Sequence, residues 1–367
     1  MKRIIFWQDS LSIHQAPLIR NFAERHAETY LVVRKGLGEA RRLLGWQSPS
    51  FGSANVMISP DLEVKNRLIS SDQDETVHIF SGISAYSFVY EAFERCLPGT
   101  AKLGIMTESH DGRGIKGMLR FARSFVDARR CGRRIDFILA IGHLAMRWHE
   151  MCGYPADKLY PFAYFVESPS KLSPRMDSEV TQLCYVGQLI DRKGVDLLLA
   201  SLARLRYLNW RLRIVGDGPK KAMIQSSAVA YDLAERLVFM GALANDVALS
   251  VIAGSDLLIL PSRWDGWGAV VNEALMRGVA VVCTDMCGAA DLIRSEERGT
   301  VVKANSIDSL VGALERWIRG GPTGAERRLI IRNWAKCIEG RTGAEYLDRV
   351  IINVSGKGGR PEAPWLG

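Results

Sequence analysis

The 367-residue chain has no long hydrophobic run. Nothing in it approaches the roughly 18–20 consecutive apolar residues that cross a bilayer as a helix. The opening Met1-Lys-Arg-Ile-Ile-Phe-Trp7 is basic and then apolar. Gln8-Asp9 interrupts it well short of the ~7–15-residue core of a secretory leader, so it reads as a first strand and a cytosolic chain is expected. Cysteine is scarce and odd in number, seven in all. Cys283 and Cys287 lie too far apart for a Cys-x-x-Cys pair and no histidine follows them, so buried reduced thiols are expected, with no metal site. All six histidines lie at or before His149. Any histidine chemistry must therefore come from the first half. Low-complexity tracts and short repeats are absent as well.

What is present is alternation. Apolar, β-branched runs recur at Arg3–Trp7, Tyr30–Val33, Asn55–Ile58, Val77–Phe80, Lys102–Met106 and Ile135–Ala140. A second series follows at Gln182–Val186, Leu212–Val215, Leu237–Met240, Leu257–Leu260, Ala280–Cys283 and Thr300–Val302. Amphipathic stretches of helical period separate them, which signals βαβ units and parallel sheets. The expected fold class is α/β, two doubly wound Rossmann-like domains facing across a cleft. The expected boundaries are 1–165, a proline-containing linker at 166–179, 180–340, and a C-terminal helix with a frayed tail at 341–367.

Ligands of open α/β sheets settle at the carboxyl ends of strands, beside helix N-termini. Four such junctions stand out in the second half. "YVGQLIDRKGVDLLLASL" (185–202) sets Arg192 and Lys193 before a helix expected to begin at Gly194, where two cations and free amides suit a diphosphate or merely form a basic turn. "LRIVGDGP" (212–219) has Gly216 and Gly218, which allow close approach to a flat ligand, and Pro219 to open the next helix. "RLVFMG" ends the third strand. "ILPSRWDGWGAVVNEALMRG" (259–278) places Asp265 in a turn and Glu273 on the following helix, expected from about 268 to 277. Helical side chains lean toward the N-terminus, so the Glu273 carboxylate points back toward the Asp265 loop. Two acceptor-only groups beside free amides suit a ligand with vicinal hydroxyls and phosphate. Taken singly, Asp265 reads as a cap and Glu273 as a surface acid.

In order and spacing these segments, through "GVAVVCTDMCGAADLI", resemble the donor-binding half of family 4 retaining glycosyltransferases of the GT-B fold, over roughly 181–295. The hallmark is two acids separated by seven residues that include a Gly-aromatic-Gly segment, here Asp265 and Glu273 around Gly266-Trp267-Gly268. The resemblance implies that Glu273 holds the ribose hydroxyls of a nucleotide sugar. It gives the transferred sugar to Asp265 and the amides of Trp267, Gly268 and Ala269. Lys193 would be the diphosphate's counter-charge, with Gly187, Gln188 and Arg192 beside it, while Gly216, Met240 and Leu243 lie near the base. Two positions depart from the family pattern: the first acid is aspartate, and Gln188 stands where an arginine is usual, with Arg192 a candidate substitute. No metal or other cofactor is implied.

The first half resembles the family's acceptor domain more weakly. "LGIMTESHDGRG" (103–114) follows a strand where many members carry a histidine near the reacting sugar. His110 and Glu108 are the alternative matches, and His14 or Gln15 in "LSIHQAPLIRNFAE" are candidate acceptor contacts. "SDQDE" (71–75) contains a D-x-D but reads as a surface turn, and "RKGLG" (34–38) lacks the rest of a dinucleotide fingerprint. The expected activity is hexosyl transfer to a saccharide or polyprenyl-diphosphate-linked acceptor of bacterial surface polysaccharide synthesis. A nucleotide-sugar 2-epimerase and a non-catalytic nucleotide-sugar-binding protein are the alternatives.

The net charge of +8 is concentrated in one segment. Residues 113–134 hold eight basic side chains and one acid. Helical period groups Lys116, Arg120, Arg123, Arg130 and Arg134 on one arc, with Met118, Phe121, Ala122 and Phe125 opposite and expected in the core. Attraction to an anionic membrane surface is expected, giving a peripheral location at the inner face of the cytoplasmic membrane. No nucleic-acid reading motif accompanies the charge.

Overall fold

The computed structural model describes residues 2–43, 46–169 and 179–367. The chain divides into two compact units: unit 1 comprises residues 1–43, 47–167 and 337–367, and unit 2 residues 44–46 and 168–336. Most of the expected linker, residues 170–178, lies outside the described residues.

Unit 1 is built on seven strands: β1 (Arg3–Ser10), β2 (Glu28–Lys35), β3 (Asn55–Ile58), β4 (Thr76–Phe80), β5 (Lys102–Glu108), β6 (Phe137–Ile141) and β7 (Leu159–Phe162). They run parallel in the order β3-β2-β1-β4-β5-β6-β7. The sheet is covered on both faces, so Ile4 to Trp7 and Phe137 to Ile141 are all buried and read as unbroken apolar runs. The six expected strands of this half are present, and β7 is one the pattern did not reveal. Its four residues include Pro161, tolerable only because β7 is an edge.

The last helix, Gly340–Val354, belongs to unit 1 and packs along Ala16–Arg25. Arg25 Nε donates to Asp348 Oδ2 at 2.6 Å. The tail is packed rather than frayed: Trp365 is 1% exposed and sits edge-on to Phe165 and Tyr346. An aromatic that buries this much apolar surface fastens the chain end.

Unit 2 repeats the plan with β8 (Thr181–Val186), β9 (Trp210–Val215), β10 (Leu237–Gly241), β11 (Leu257–Leu260), β12 (Ala280–Thr284) and β13 (Gly299–Val302). All are parallel, in the order β10-β9-β8-β11-β12-β13. In each sheet the winding direction reverses once, between β1 and β4 in unit 1 and between β8 and β11 in unit 2. At such a switch the two following loops part to opposite faces and leave a crevice at the strand ends. The sequence places its unusual residues after these strands.

Candidate active site

In unit 2 the loops after β8 and β11 are joined by their own backbones and side chains. The Arg263 amide donates to the Arg192 carbonyl at 2.8 Å, and its guanidinium grips Asp196 with two bonds of 2.8 and 2.6 Å. Arg263 escaped the sequence reading, although its place between Ser262 and Trp264 at a strand end was a usable signal. A short 3-10 turn, Asp191–Lys193, precedes the helix Val195–Ala203. This turn shifts the expected helix start by one residue and presents Arg192 and Lys193 to the neighbouring loop.

They do not point into open space. The Lys193 ammonium bonds the Asp265 carboxylate directly, and Arg192 Nη1 lies 3.6 Å from Asp265 Oδ1. Asp265 is buried, so this is a charge cluster held in a low-dielectric setting. The structure thus brings together the three groups assigned to sugar and diphosphate. It also corrects the picture of Asp265 as a free acceptor.

Glu273 contrasts with it. It lies in the helix Val270–Leu275, shorter at both ends than expected. It keeps some accessible surface, yet enough protein surrounds the carboxylate that burial pushes its pKa up to about 7, with Arg277 offsetting only part. The Arg277 guanidinium bonds the Glu273 backbone carbonyl at 3.0 Å. Among the described residues the Glu273 carboxylate has no hydrogen bond or ion pair. A desolvated, unpartnered carboxylate has unused capacity for hydroxyl groups.

Trp267 belongs to the core rather than to the ligand surface. It is 1% exposed, and its Nε1 donates to Asn272 Oδ1 at 2.8 Å. Beside it Gly268 has φ +94°, and a Cβ there would lie 2.8 Å from both Cys287 Sγ and Leu260. Gly266 is buried and Ala269 half-buried, so this turn is shaped by packing as well as by access. Gly216 also serves the protein's own backbone. A Cβ there would stand 1.8 Å from the Gly187 carbonyl, so the loops after β8 and β9 touch where a flat ligand was expected. The helix after β9 begins at Lys221, two residues beyond Pro219, following a turn. Gln188 is exposed in its loop, while Met240 near the end of β10 and Leu243 after it are half-buried.

Unit 1 has a cavity of about 420 Å³ at its own switch point. Gln8 to Ser10 from β1, Gln15, Ser81 to Tyr86 after β4, and Thr107 to His110 from β5 line it, together with Asp127, His149, Tyr154 and Tyr164. Three of the four candidates, Gln15, Glu108 and His110, therefore share one cavity. The fourth, His14, stacks on Tyr164 at 5.7 Å, and the Tyr164 hydroxyl donates to Glu108 at 2.5 Å. Gln15 is buried and accepts from Gln8 Nε2. His110 meets Trp148 edge-on at 5.6 Å, and burial, then Arg120 and Arg123, lower its pKa. Both causes disfavour its protonated form. His149, which the sequence reading passed over, lies deeper in the same cavity.

The expected turn at 71–75 is a surface turn: Asp72 pairs with Arg3 and Asp74 accepts from Thr100. Among the described residues no group of three His, Cys, Asp or Glu is placed to hold a metal ion. All seven cysteines are free thiols, six of them buried.

The helix Gly114–Cys131 departs from expectation in its orientation. It buries only Gly117 and Cys131, with Phe121 half-buried against Trp148. Ile115, Met118 and Leu119 are 78%, 70% and 66% exposed, and Ala122, Phe125 and Val126 are exposed too. Met118, Ala122 and Phe125 are therefore surface residues. The basic arc also thins. Arg134 donates to the Leu97, Gly99 and Ala101 carbonyls, and Arg130 pairs with Glu94 at 2.9 Å. No helix among the described residues is long and apolar enough to cross a membrane.

Two Rossmann-like units, each with polar groups collected at its switch point, define the GT-B architecture. The lipopolysaccharide outer core galactosyltransferase WaaB shares it over 96% of this chain and 99% of its own, at TM-score 0.72 and 17% identity. So does Anabaena Alr3699/HepE, solved with UDP-glucose, over 96% and 99% at TM-score 0.69 and 15% identity. The family model "Glycosyl transferases group 1" matches residues 171–336, nearly all of unit 2. A GDP-mannose-dependent alpha-(1-6)-phosphatidylinositol monomannoside mannosyltransferase of Mycobacterium tuberculosis is 25% identical over 297 residues, 75% of each chain. The chain spans less than half the length of the first curated relatives it matches. These likenesses give the chain the GT-B fold, and its residues 171–336 are similar to the group 1 glycosyl transferases.

Proposed function

We propose that the protein is a retaining glycosyltransferase that moves a hexosyl group from a nucleotide diphosphate sugar to a saccharide acceptor. One observation carries this reading. Arg192, Lys193 and Asp265 cluster at the switch point of unit 2, on the loops after β8 and β11, and Glu273 follows on the next helix with an unused carboxylate. Unit 2 would bind the donor, and the unit 1 cavity the acceptor. Relatives that bind UDP-glucose or depend on GDP-mannose support a nucleotide sugar.

As the glycosidic bond loosens, negative charge grows on the departing diphosphate. Lys193 and Arg192 already stand beside one carboxylate, so an incoming diphosphate competes with Asp265 for them. The exchange frees Asp265 to accept hydroxyl groups of the transferred sugar. Preorganised cations of this kind contribute roughly 10²–10³ in rate each. Glu273, once ionised, accepts the paired ribose hydroxyls. The reading requires no metal, because the diphosphate's charge is met by the two side chains.

The acceptor is proposed to be lipid-linked, in bacterial surface polysaccharide synthesis. The exposed Ile115-Met118-Leu119-Val126 stripe flanked by Lys116, Arg120 and Arg123 suits a helix lying in an anionic membrane surface.

A panel of UDP-, GDP-, ADP- and dTDP-sugars tests the donor by thermal shift. A ligand at about 100 times its dissociation constant stabilises by about 2.7 kcal/mol. Transfer to an added glycoside, with anomeric retention by NMR, is the expected result. Absence of binding across the panel rejects the reading, and conversion of the donor with no acceptor present identifies an epimerase instead.

A further inference from the structure

The unit 1 cavity contains polar groups that the proposed chemistry does not use. His149 is 9% exposed, and both of its ring nitrogens are buried without a protein partner. The other deeply buried histidine differs by half: His78 Nδ1 accepts from Trp7 Nε1 at 3.0 Å, and only its Nε2 is left over. A second unpartnered polar atom, Ser81 Oγ, is also buried and lines the same cavity. His149 stands on the helix His143–Met151 after β6, while Ser81 follows β4 at the switch point. The fold thus brings to one space two groups from distant segments, each able to donate and to accept.

The lining chemistry selects what can meet them. It includes Asp9, Glu108 and Asp127 but no lysine or arginine. Asp9 is paired with Arg34 and Lys35 outside the lining, at 2.7 and 3.3 Å, and Glu108 accepts from the Tyr164 hydroxyl. A phosphate or carboxylate offers acceptors only, and no cationic side chain of the lining meets it, since Arg120 and Arg123, which act on His110 through their charge, stand outside the lining. A sugar hydroxyl both donates and accepts, as imidazole and serine require. The volume of about 420 Å³ lies within the range of small-molecule pockets.

We propose that His149 and Ser81 form the sugar-reading floor of this cavity, and that the acceptor ring admitted there is unphosphorylated, presenting free hydroxyl groups. This deepens the proposed function and rests on it for the word acceptor. His149 is a specificity residue: it touches the ring and takes no part in bond making.

The test uses the full chain and n-octyl glucoside, galactoside and mannoside, each with its 6-phosphate. The ¹H–¹⁵N signals of the His149 ring, assigned by their loss in His149→Gln, are followed during titration. At least one unphosphorylated glycoside is expected to shift them at saturation, and the phosphates and octanol are not. In transfer assays His149→Phe is expected to raise the acceptor KM by about fivefold to tenfold with the donor KM unchanged, and His149→Gln to recover part of the loss. His149→Phe removes unpaired polar atoms from a buried site, so its melting temperature is expected to hold or rise. Unshifted ring signals with every glycoside, equal response to the 6-phosphates, or a His149→Phe variant with unchanged acceptor KM would overturn the proposal. The ring signals report directly, so failure of donor binding rejects the proposed function without deciding this inference.

Discussion

The two units share one plan and fill it with opposite chemistry. At the unit 2 switch point Arg192 and Lys193 hold Asp265 in a closed ion cluster, and Glu273 on the following helix is unpaired. At the unit 1 switch point the cavity lining has carboxylates and histidines but no cationic side chain. A doubly wound sheet supplies a crevice, and the side chains after its two central strands decide what enters. Positive groups that can be drawn off a carboxylate suit a diphosphate. Neutral imidazole and hydroxyl groups suit a polyol.

The comparison breaks most sharply at Lys193. Lys193→Ala is expected to lower kcat about 10²–10³-fold, measured as transfer from the donor found by the panel, because it removes a preorganised counter-charge. Next is Glu273→Ala, which should weaken donor binding by about 1.5–3 kcal/mol for each charge-assisted hydrogen bond lost, read by calorimetry. A conservative Glu273→Gln sharpens this through pH. In the free protein the Glu273 pKa is raised to about 7, so the acid form dominates below that value and the diol-accepting carboxylate above it. Donor affinity should therefore rise by up to about tenfold between pH 6 and 8, and Glu273→Gln should flatten the rise. The same shift has a stability sign. Glu273 favours the folded state at low pH, and this contribution is lost as pH rises from its ordinary 4.5 through 7.

A smaller effect is expected outside both sites. Replacing Lys116, Arg120 and Arg123 by glutamine should reduce partition onto vesicles containing phosphatidylglycerol by about 1 kcal/mol per residue in sedimentation assays, with little change on neutral vesicles. Equal partition onto both vesicle types would remove the membrane reading. The smallest effect is that of EDTA, which is expected to leave transfer nearly intact. Loss of turnover restored by manganese would assign the diphosphate's charge to a metal rather than to Lys193 and Arg192.

Much of this was legible before the fold was seen. Twelve of the thirteen strands among the described residues followed from apolar, β-branched runs, because strands covered on both faces cannot hide their composition. Only β7 escaped, a four-residue edge carrying Pro161. The charged residues after β8 and β11 were readable as positions in the sequence, whereas the glycines between the two acids serve packing as well. The side of the 114–131 helix that faces outward was not. Ile115, Leu119 and Val126 fall beside its basic arc, and helical period tells how residues are grouped without telling which group the neighbouring elements cover.

Sequence by itself determined the two parallel sheets, their order of elements and the placing of charged groups at strand ends, because each depends on local period and composition. Tertiary structure alone decided that Asp265 is held by both cations, that Glu273 is not, and that Trp267 is core. It also decided that Gly340–Val354 and Trp365 fasten to the first unit, and that His149 and Ser81 line one cavity without partners. Burial and pairing are set by segments far apart along the chain, and no local pattern encodes which of them arrive together.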